Sequence, residues 1–295
     1  MPWQFDPITL DRQSAYREKL ALMPEKASDY SFINLWGWSE EHGLQWSWQE
    51  GCAWILQTLP TPSLWAPVGA WQSLNWTRLL AEGPLAQMPM ARIPQQLADV
   101  IEAQLGRRAI LTPARGHWDY LYSVADLTQL KGKRFHKKKN LLNQFLRNYE
   151  FSYQPLTARE SAHALALQED WCQWRDCEAQ DALAAENRVI QKLFQDWEQL
   201  EGITGGALSV GERMVAYTIA EALTPEMLVI HIEKGDPDYK GAYQAINQIF
   251  LAQTGTPYRT VNREQDLGNE GLRKAKLSYN PLEFIEKYTA HFRPD

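Results

Sequence analysis

The sequence contains few cysteines and no long apolar run, and these absences exclude several classes of protein. Its three cysteines, Cys52, Cys172 and Cys177, are odd in number and lack the C-x-x-C spacing of redox and zinc motifs. We therefore expect no disulfide framework, no metal site and a reducing compartment. No stretch approaches the ~18 apolar residues of a membrane span, and the first residues lack the basic and apolar regions of a signal peptide. These absences predict a cytoplasmic protein without stable membrane insertion.

The overall composition is that of an ordinary globular protein. Of the 295 residues, 44% are hydrophobic and 22% are charged, and these values disfavour both disorder and a fibrous repeat. Because a chain of this length is longer than most single domains, we expect two domains. The 13 Trp and 12 Tyr are many for this length, and we interpret them as core packing.

Positive charge is concentrated in one segment of an otherwise acidic chain. The net charge is −6, yet the segment Lys131–Arg147 contains seven Lys or Arg residues and no acid. At about 100° per residue it forms an amphipathic helix with Phe135 and Phe145 on the apolar face. Lys138 projects within that face, and Lys137 extends the basic patch. Two interpretations stay open: the patch binds phosphates, such as those of a tRNA acceptor end, or it is a solvated surface.

The second half of the chain has a regular order of elements. A strand at 150–156 precedes two helices, and the capping box of Thr157 and Glu160 opens the first of them. Three strands follow as a meander, and then come a helix at 242–253, a strand at 258–264 and a final helix. The order β-α-α-β-β-β-α-β-α predicts an α/β (α+β) fold, with a mixed, mostly antiparallel sheet flanked by helices.

Five sequence strings resemble those of a known family. They are SDYSFINLWGW at 28–38, WDYLYS at 118–123, GKRFHKKKNLLNQF at 132–145, HIEKGDPDYKGAYQAIN at 231–247 and VNREQDLGNEGLRKAKLSY at 261–279. Together they resemble a bacterial family of uncharacterised proteins related to the phosphatidylglycerol lysyltransferase C-terminal catalytic domain. The resemblance extends over nearly the whole chain.

This resemblance implies two tandem acetyltransferase-like (GNAT) domains. We expect a non-catalytic N-terminal domain at 1–130 and a C-terminal domain at 131–295 that begins with the basic helix and carries the site. Enzymes with this arrangement move an amino acid from aminoacyl-tRNA to a lipid or a peptidoglycan precursor. The lysyltransferases that modify lipid usually carry a membrane-embedded portion, which this sequence lacks, so a lipid acceptor is not expected.

The chemistry of the predicted site comes from two strands of the second domain. His231 and Glu233 are two residues apart, and the next strand carries Asn262, Glu264 and Asp266 at the same spacing, so each set shares one face. Acyl transfer to an amine needs a base for the proton and a donor for the oxyanion. The candidate catalytic residues are the bases Glu233, Glu264 and His231 and the acid Tyr279.

Further polar residues are candidates for holding the donor. In this fold the donor phosphates lie at the start of the helix after the fourth strand, which here begins near Gly241. Asp236 and Asp238 precede it and would repel a pyrophosphate, which argues against acetyl-CoA. Lys234 and Lys240 either contact a phosphate or pair with these aspartates. The candidate substrate-binding residues are Lys137, Lys138, Lys234, Lys240, Gly241, Asn262, Arg263, Asp266, Arg273 and Lys276.

Among these candidates, Asp266 is the carboxylate expected to hold the α-amino group of an aminoacyl donor. Arg273 and Lys276 give the last helix a cationic flank for a phosphate or carboxylate. The alternative is structural, since a buried polar network with Arg263 and Arg273 would lock the sheet without any catalytic role.

The sequence therefore predicts an aminoacyl- or acyl-transferase that acts on an unspecified amine or hydroxyl acceptor. Its donor would be aminoacyl-tRNA or acyl-CoA, and no bound cofactor is implied with certainty. Two alternatives stay open. One is a non-catalytic binding protein for an anionic ligand, such as RNA or a nucleotide, and the other is an acetyl-CoA-dependent N-acetyltransferase.

Overall fold

The structure, a computed structural model, describes residues 3–254 and 257–293. Within this part, the chain forms two compact units, and the strands form two seven-stranded sheets. Unit 1 comprises the residues up to Asp119, Gln265–Glu270 and the residues from Phe284 onward, and unit 2 comprises Tyr120–Glu264 and Gly271–Glu283. This division differs from the predicted ranges 1–130 and 131–295, because the end of the chain returns to unit 1.

Unit 1 contains a sheet whose last strand in sequence lies in its interior. The helices and strands are β1 (Asp6–Pro7), α1 (Gln13–Ala21), α2 (Phe32–Gly37), β2 (Gln45–Gln49), β3 (Cys52–Gln57), β4 (Ser63–Trp65), α3 (Trp76–Glu82), β5 (Met90–Pro94), α4 (Gln95–Leu105) and β6 (Ala109–Pro113). The chain reaches β14 (Lys287–Phe292) only at its end. The strand order is β1-β2-β3-β4-β5-β14-β6, with β4 and β5 parallel.

A hairpin lies near the start of this sheet, where β2 and β3 pair antiparallel. Their turn places Glu50 and Gly51 at positive φ, 53° and 75°, and glycine adopts this region without steric cost. The tryptophans of unit 1 include several with fully buried side chains, in agreement with their interpretation as core residues: Trp46, Trp54, Trp71 and Trp76.

A buried ion cluster ties the end of the chain into unit 1. The Lys287 ammonium on β14 bonds to the carboxylates of Asp29 and Asp119, all of them buried. Arg92 also pairs with Asp29, and these cations hold the pKa of Asp29 well below its usual range although burial alone would raise it. Because removal of one partner would strand a buried charge, β14 is a required part of this sheet.

Unit 2 contains the elements that were predicted for the second half of the chain, together with β7, α5 and β13. They are β7 (Asp119–Ser123), α5 (Val124–Gln129), α6 (His136–Asn148), β8 (Phe151–Pro155), α7 (Ser161–Arg175), α8 (Asp181–Gln195), β9 (Ile203–Val210), β10 (Arg213–Thr224), β11 (Met227–Gly235), α9 (Ala242–Thr254), β12 (Thr260–Asn262), α10 (Glu270–Leu277) and β13 (Glu283–Ile285). The strand order is β13-β7-β12-β11-β10-β9-β8. The predicted order omitted β7, β13 and β14.

The start of unit 2 follows the sequence patterns closely. The basic segment forms a 3-10 turn at Lys133–Phe135 and then α6, which buries Phe135, Leu142 and Phe145. The capping box of Thr157 and Glu160 is present, with both reciprocal hydrogen bonds formed.

One feature of the fold creates the site, namely the splay of β11 away from β12. The two strands pair in parallel only from Met227–Thr260 to Val229–Asn262, so the later residues of β11 have no partner on β12. On the other side, a bulge interrupts the pairing of β11 with β10 between Ile230 and Ile232. His231 is therefore an extra residue, and a bulge of this kind redirects side chains.

The expectation about cysteines is wrong for one pair, because Cys172 and Cys177 form a disulfide. Cys172 lies in the last turn of α7, and Cys177 begins a 3-10 turn just after it, so their Cα atoms are only 4.9 Å apart. Cys52 is a buried free thiol. A separation of five residues matches no known cysteine motif, so the sequence did not indicate this disulfide. The left-handed backbone of Asp176 at the end of α7 turns the chain and brings the two sulfurs together.

Candidate active site

A cluster of charged and aromatic side chains lies where β11 and β12 diverge in unit 2. We call Glu233, Arg263, Tyr279 and Lys138 the Arg263 cluster. Nη2 of Arg263 donates to Glu233 Oε1 at 2.7 Å, and Nδ2 of Asn247 on α9 donates to Glu233 Oε2 at 2.9 Å. Both oxygens of Glu233 therefore accept hydrogen bonds from neighbours, which makes Glu233 a residue that positions Arg263 rather than a ready base.

Two cations of this cluster lie against the ring of Tyr279. The Arg263 guanidinium carbon lies 4.6 Å from the Tyr279 ring centroid, and the Lys138 ammonium lies 3.9 Å from it. The Tyr279 hydroxyl accepts a hydrogen bond from Nε2 of Gln244 at 3.2 Å. Burial raises the pKa of Tyr279, so its phenol keeps its proton at neutral pH.

Lys138 lies half-buried on the basic helix. Burial, followed by the neighbouring Arg263, lowers the pKa of Lys138 to about 8, and Glu233 offsets part of this effect. Among the described residues, no carboxylate lies within ion-pair distance of its ammonium. Lys137, one residue earlier, is exposed. The structure thus brings Lys138 into the cluster, as predicted from the helical period, and leaves Lys137 on the surface.

Two opposing effects act on the pKa of Arg263. Burial would lower the pKa of the guanidinium, but the attraction of Glu233 outweighs it and raises the pKa. Lys276 donates from its ammonium to the Arg263 carbonyl, and its own carbonyl accepts the Tyr122 hydroxyl at 3.0 Å. Lys276 thus positions the backbone of Arg263. Arg273 lies half-buried on α10.

A second group of side chains forms a chain of hydrogen bonds centred on the bulge. Nδ1 of His231 lies 2.7 Å from Glu264 Oε1, and Nε2 lies 3.0 Å from Glu221 Oε1. Burial would lower the pKa of His231, but the hydrogen bonds to Glu221 and Glu264 outweigh it and raise the pKa to about 9. The imidazole is therefore protonated at neutral pH with both nitrogens donating. This arrangement leaves His231 without a nitrogen that could act as a base.

Glu264 is the end of this chain that reaches solvent. Its side chain is 22% exposed, against 1% for His231 and 2% for Glu221. The backbone of Glu264 has φ of 57°, an uncommon conformation for this residue that concentrates at functional sites. Its N–H donates to Oδ1 of buried Asn262 at 2.8 Å, so Asn262 fixes the backbone at the strand end.

The prediction that Asn262, Glu264 and Asp266 share a strand face is wrong, because β12 ends at Asn262. The two-residue period stops there, and Glu264 turns the chain. Asp266 belongs to unit 1, where its carboxylate accepts from Arg115 at 3.2 Å and from the Gly268 N–H at 2.8 Å. Fully buried Asp266 thus closes a turn of unit 1. His231 and Glu233 likewise have separate partners, since the bulge interrupts the period between them.

Of the two alternatives for Lys234 and Lys240, the pairing with Asp236 and Asp238 is not observed among the described residues. The Lys234 ammonium is buried, bonds to Glu186 Oε2 at 2.5 Å and lies 3.6 Å from the Trp171 ring centroid. It therefore has no access to a solvent phosphate. Lys240 is exposed. Asp236 instead accepts from Arg213 at 2.9 Å and from the Asp238 N–H at 2.9 Å, which fixes the loop before α9.

Gly241 has a packing role in this loop. Its φ is 93°, and a Cβ built on it would lie 2.2 Å from the Leu141 carbonyl oxygen of α6. Helix α6 therefore packs directly against the start of α9, where the sequence predicted a phosphate. Tyr149 at the end of α6 covers the same loop, with its ring 5.0 Å from that of Tyr239. The loop forms no glycine-lined cradle for a pyrophosphate.

Two residues of the site, Glu221 and Asn247, were not predicted from the sequence. Glu221 lies within an apolar strand, and a buried acid in such a strand is itself an unusual signal. Asn247 gave no signal, because its contact with Glu233 depends on how α9 packs.

Within the described residues there is no group of three or more His, Cys, Asp or Glu side chains with the geometry to hold a metal ion. None of the helices described is long and apolar enough to cross a membrane.

The mixed sheets, their flanking helices and the splayed parallel strands form the tandem acetyltransferase-like (GNAT) fold that the resemblance implied. The sequence matches the C-terminal family of phosphatidylglycerol lysyltransferases over residues 20–291. The chain belongs to this family, and its relationship to transferases follows from that membership.

Three known proteins are similar to this chain. A conserved protein of unknown function from Bacteroides thetaiotaomicron superposes with a TM-score of 0.90 at 31% identity, covering 99% of this chain and 100% of that one. The L-PGS of Bacillus licheniformis has a TM-score of 0.65 at 13% identity and covers 98% and 93%. An uncharacterised protein of Mycoplasmoides gallisepticum is 28% identical over 174 residues. That alignment covers 58% of this chain and about half, 54%, of the curated relative.

Proposed function

We propose that this protein is an aminoacyltransferase whose site lies in unit 2, between the Arg263 cluster and Glu264. The observation that carries the proposal is the Lys138 ammonium, half-buried on Tyr279 beside Arg263. Two cations face one carboxylate, Glu233, in this cluster. Such a site favours an anionic group, either a donor phosphate or the oxyanion that forms during acyl transfer.

Lys138 and Arg263 have different roles in this proposal. Arg263 is held by Glu233 and by the Tyr279 ring, so it is a fixed positive charge. Lys138 lies on a flexible stem, and with a pKa of about 8 it stays mostly charged at neutral pH. A group in water-excluded surroundings stabilises a developing negative charge far more than it would in water.

Glu264 replaces Asp266 as the candidate for binding the donor's α-ammonium. Its carboxylate is partly exposed, and His231 holds one of its oxygens in place. An oriented carboxylate is a suitable partner for an ammonium group, and this role needs no proton transfer by His231. An aminoacyl donor would thus meet a carboxylate at one end and the cationic cluster at the other.

The choice of aminoacyl-tRNA over acetyl-CoA rests on the loop before α9. Gly241 packs on α6, and Asp236 occupies the loop interior. A CoA pyrophosphate would have to displace this packing and approach two aspartates. The family resemblance to lysyltransferases supports the same choice. The N-acetyltransferase alternative is therefore the weaker one, and the binding-protein alternative becomes an outcome of the test.

The test supplies the protein with separately radiolabelled pooled aminoacyl-tRNA and acetyl-CoA, together with a cell extract as the source of acceptors. We expect label transfer from aminoacyl-tRNA alone. Glu264→Gln should reduce transfer by on the order of 10²-fold, while Glu226→Gln, which changes an exposed carboxylate of unit 2, should leave it unchanged. Transfer from acetyl-CoA would overturn the donor assignment. Salt-sensitive tRNA binding without any transfer would show a binding protein instead.

A further inference from the structure

The disulfide between Cys172 and Cys177 joins the end of α7 to the connection with α8. Hydrogen bonds also tie this connection to the last turn of α7: the Asp176 N–H donates to the Gln173 carbonyl at 3.4 Å, and the Gln180 side-chain amide donates to the Arg175 carbonyl at 2.9 Å. Within the connection, the Ala179 N–H donates to the Asp176 carbonyl at 3.3 Å. The disulfide adds a covalent restraint that holds Cys177 against the last turn of α7.

The disulfide is accessible from solvent. Both cysteines line a groove of about 1010 Å³ between α7 and α8, whose wall also contains Glu169, Asp176 and Arg188. Cys177 is buried, whereas Cys172 is half-exposed and accepts a weak hydrogen bond on its sulfur from Gln168 at 3.5 Å. A small dithiol can reach a sulfur in an open groove of this size.

On its opposite side, the same segment packs against the strand that carries the site. Trp171, next to Cys172, covers the Lys234 ammonium and donates from its indole nitrogen to the Tyr243 hydroxyl at 2.6 Å. Glu186 on α8 supplies the carboxylate that pairs with Lys234. Lys234 directly follows Glu233 on β11. The position of α7 and α8 thus determines whether a buried cation on β11 keeps its partner.

We propose that Cys172 and Cys177 form a reversible two-electron redox site that controls the order of the α7–α8 connection and, through Lys234, of β11. The co-reactant is a dithiol reductant. Its thiolate attacks the sulfur of one cysteine, which forms a mixed disulfide and releases the other cysteine as a thiolate. The second thiol of the reductant then closes the reductant's own disulfide and displaces the first cysteine. Two electrons and two protons pass to the protein, which leaves Cys172 and Cys177 as thiols and the reductant as a disulfide.

Reduction removes the covalent restraint between α7 and the connection. The α7–α8 connection should then open locally, and Glu186 should no longer be held against Lys234. A buried cation that loses its carboxylate has to be hydrated, so the end of β11 should open as well. The oxidised form is the one in which the Glu233 region is ordered.

The first experiment counts thiols in the full-length protein equilibrated with mixtures of reduced and oxidised dithiothreitol. After denaturation in acid, a maleimide reagent labels the free thiols for mass spectrometry. We expect one thiol, Cys52, under oxidising conditions and three under reducing conditions, in a single reversible step. Cys52 is the internal control, because burial raises its pKa to about 11. Three thiols at every ratio, or a step that does not reverse, would overturn the redox site.

The second experiment measures hydrogen exchange of the oxidised and reduced protein. Amides at 172–190 and 229–236 should exchange faster after reduction, by on the order of tenfold, while those of unit 1 stay unchanged. The double variant Cys172→Ser with Cys177→Ser should show the fast pattern with or without reductant, and Cys52→Ser should respond like the wild type. Unchanged exchange at 229–236 would overturn the coupling to β11, and global loss of circular dichroism on reduction would overturn a local switch.

Discussion

At the scale of single residues, His231 shows how environment decides chemistry. A histidine on an exposed strand would titrate near neutral pH and could act as a base. Here the bulge in β11 turns it toward two carboxylates, and their hydrogen bonds hold it protonated. Its hydrogen bond therefore orients the Glu264 carboxylate, and Glu221 orients His231 in turn.

Replacement of His231 by Gln should remove a pH-dependent part of the stability. A raised pKa stabilises the folded state fully below the unfolded value of 6.5, and this stabilisation is lost as the pH rises through about 9. The wild type should therefore lose on the order of 3 kcal/mol relative to His231→Gln between pH 6 and pH 10. Urea unfolding of both proteins across this range measures the difference, and groups such as Lys138 that titrate in both cancel.

The matched control is His163→Gln, which changes an exposed histidine on α7. Its stability difference from the wild type should not vary with pH to a comparable extent. A constant difference between wild type and His231→Gln over the same range would show that His231 is not held protonated between Glu221 and Glu264.

At the scale of elements, the packing of α6 on α9 is what places Lys138 in the site. Helix α6 approaches α9 so closely that only glycine fits at position 241. The approach brings Lys138 of α6 onto the Tyr279 ring beside Arg263. Helix α6 thus occupies the space that a phosphate at the start of α9 would need.

Gly241→Ala should therefore destabilise unit 2 by about 3 kcal/mol, from backbone strain and the clash with the Leu141 carbonyl. Gly211 gives the matched control. It also has positive φ, 59°, but a Cβ there meets no atom within 4 Å, so Gly211→Ala should cost only ~1 kcal/mol of strain. The measurement is urea unfolding followed by circular dichroism. Equal losses in the two variants would mean that α6 does not pack on Gly241.

Local patterns in the sequence predicted much of this architecture. The capping box at Thr157, the helix at 242–253 and the basic amphipathic helix depend on neighbouring residues, and the structure contains each of them. The bulge at His231 and the end of β12 at Asn262 depend on pairing with distant strands. The two-residue period of a strand therefore did not predict correctly which polar side chains share a face. The disulfide was missed for a similar reason, since a left-handed residue at the end of α7 creates it.

At the scale of the whole molecule, unit 1 is built from both ends of the chain. Strand β14 lies between β5 and β6, and Lys287 at its start joins the buried cluster of Asp29 and Asp119. A domain boundary inferred from the order of elements along the sequence does not predict that the end of the chain returns to unit 1. Unit 2, which carries the site, is interrupted only by the short turn Gln265–Glu270 that belongs to unit 1.

In the proposed function, one cation reaches the site from the basic helix. Lys138 lies on Tyr279 beside Arg263, and Lys137 on the same helix points to solvent. The two lysines thus give a matched pair for substitution. Both changes remove one positive charge from the same segment, so a general electrostatic effect on tRNA binding would appear in both.

The most direct test is a single-turnover assay of Lys138→Met and Lys137→Met with radiolabelled aminoacyl-tRNA and extract acceptors. We predict that Lys138→Met slows transfer by on the order of 10², with its circular dichroism unchanged. Lys137→Met should stay within about twofold of the wild type, because a surface charge contributes little. Equal rates for the two variants would contradict the assignment of Lys138 and the Arg263 cluster as the site of transfer.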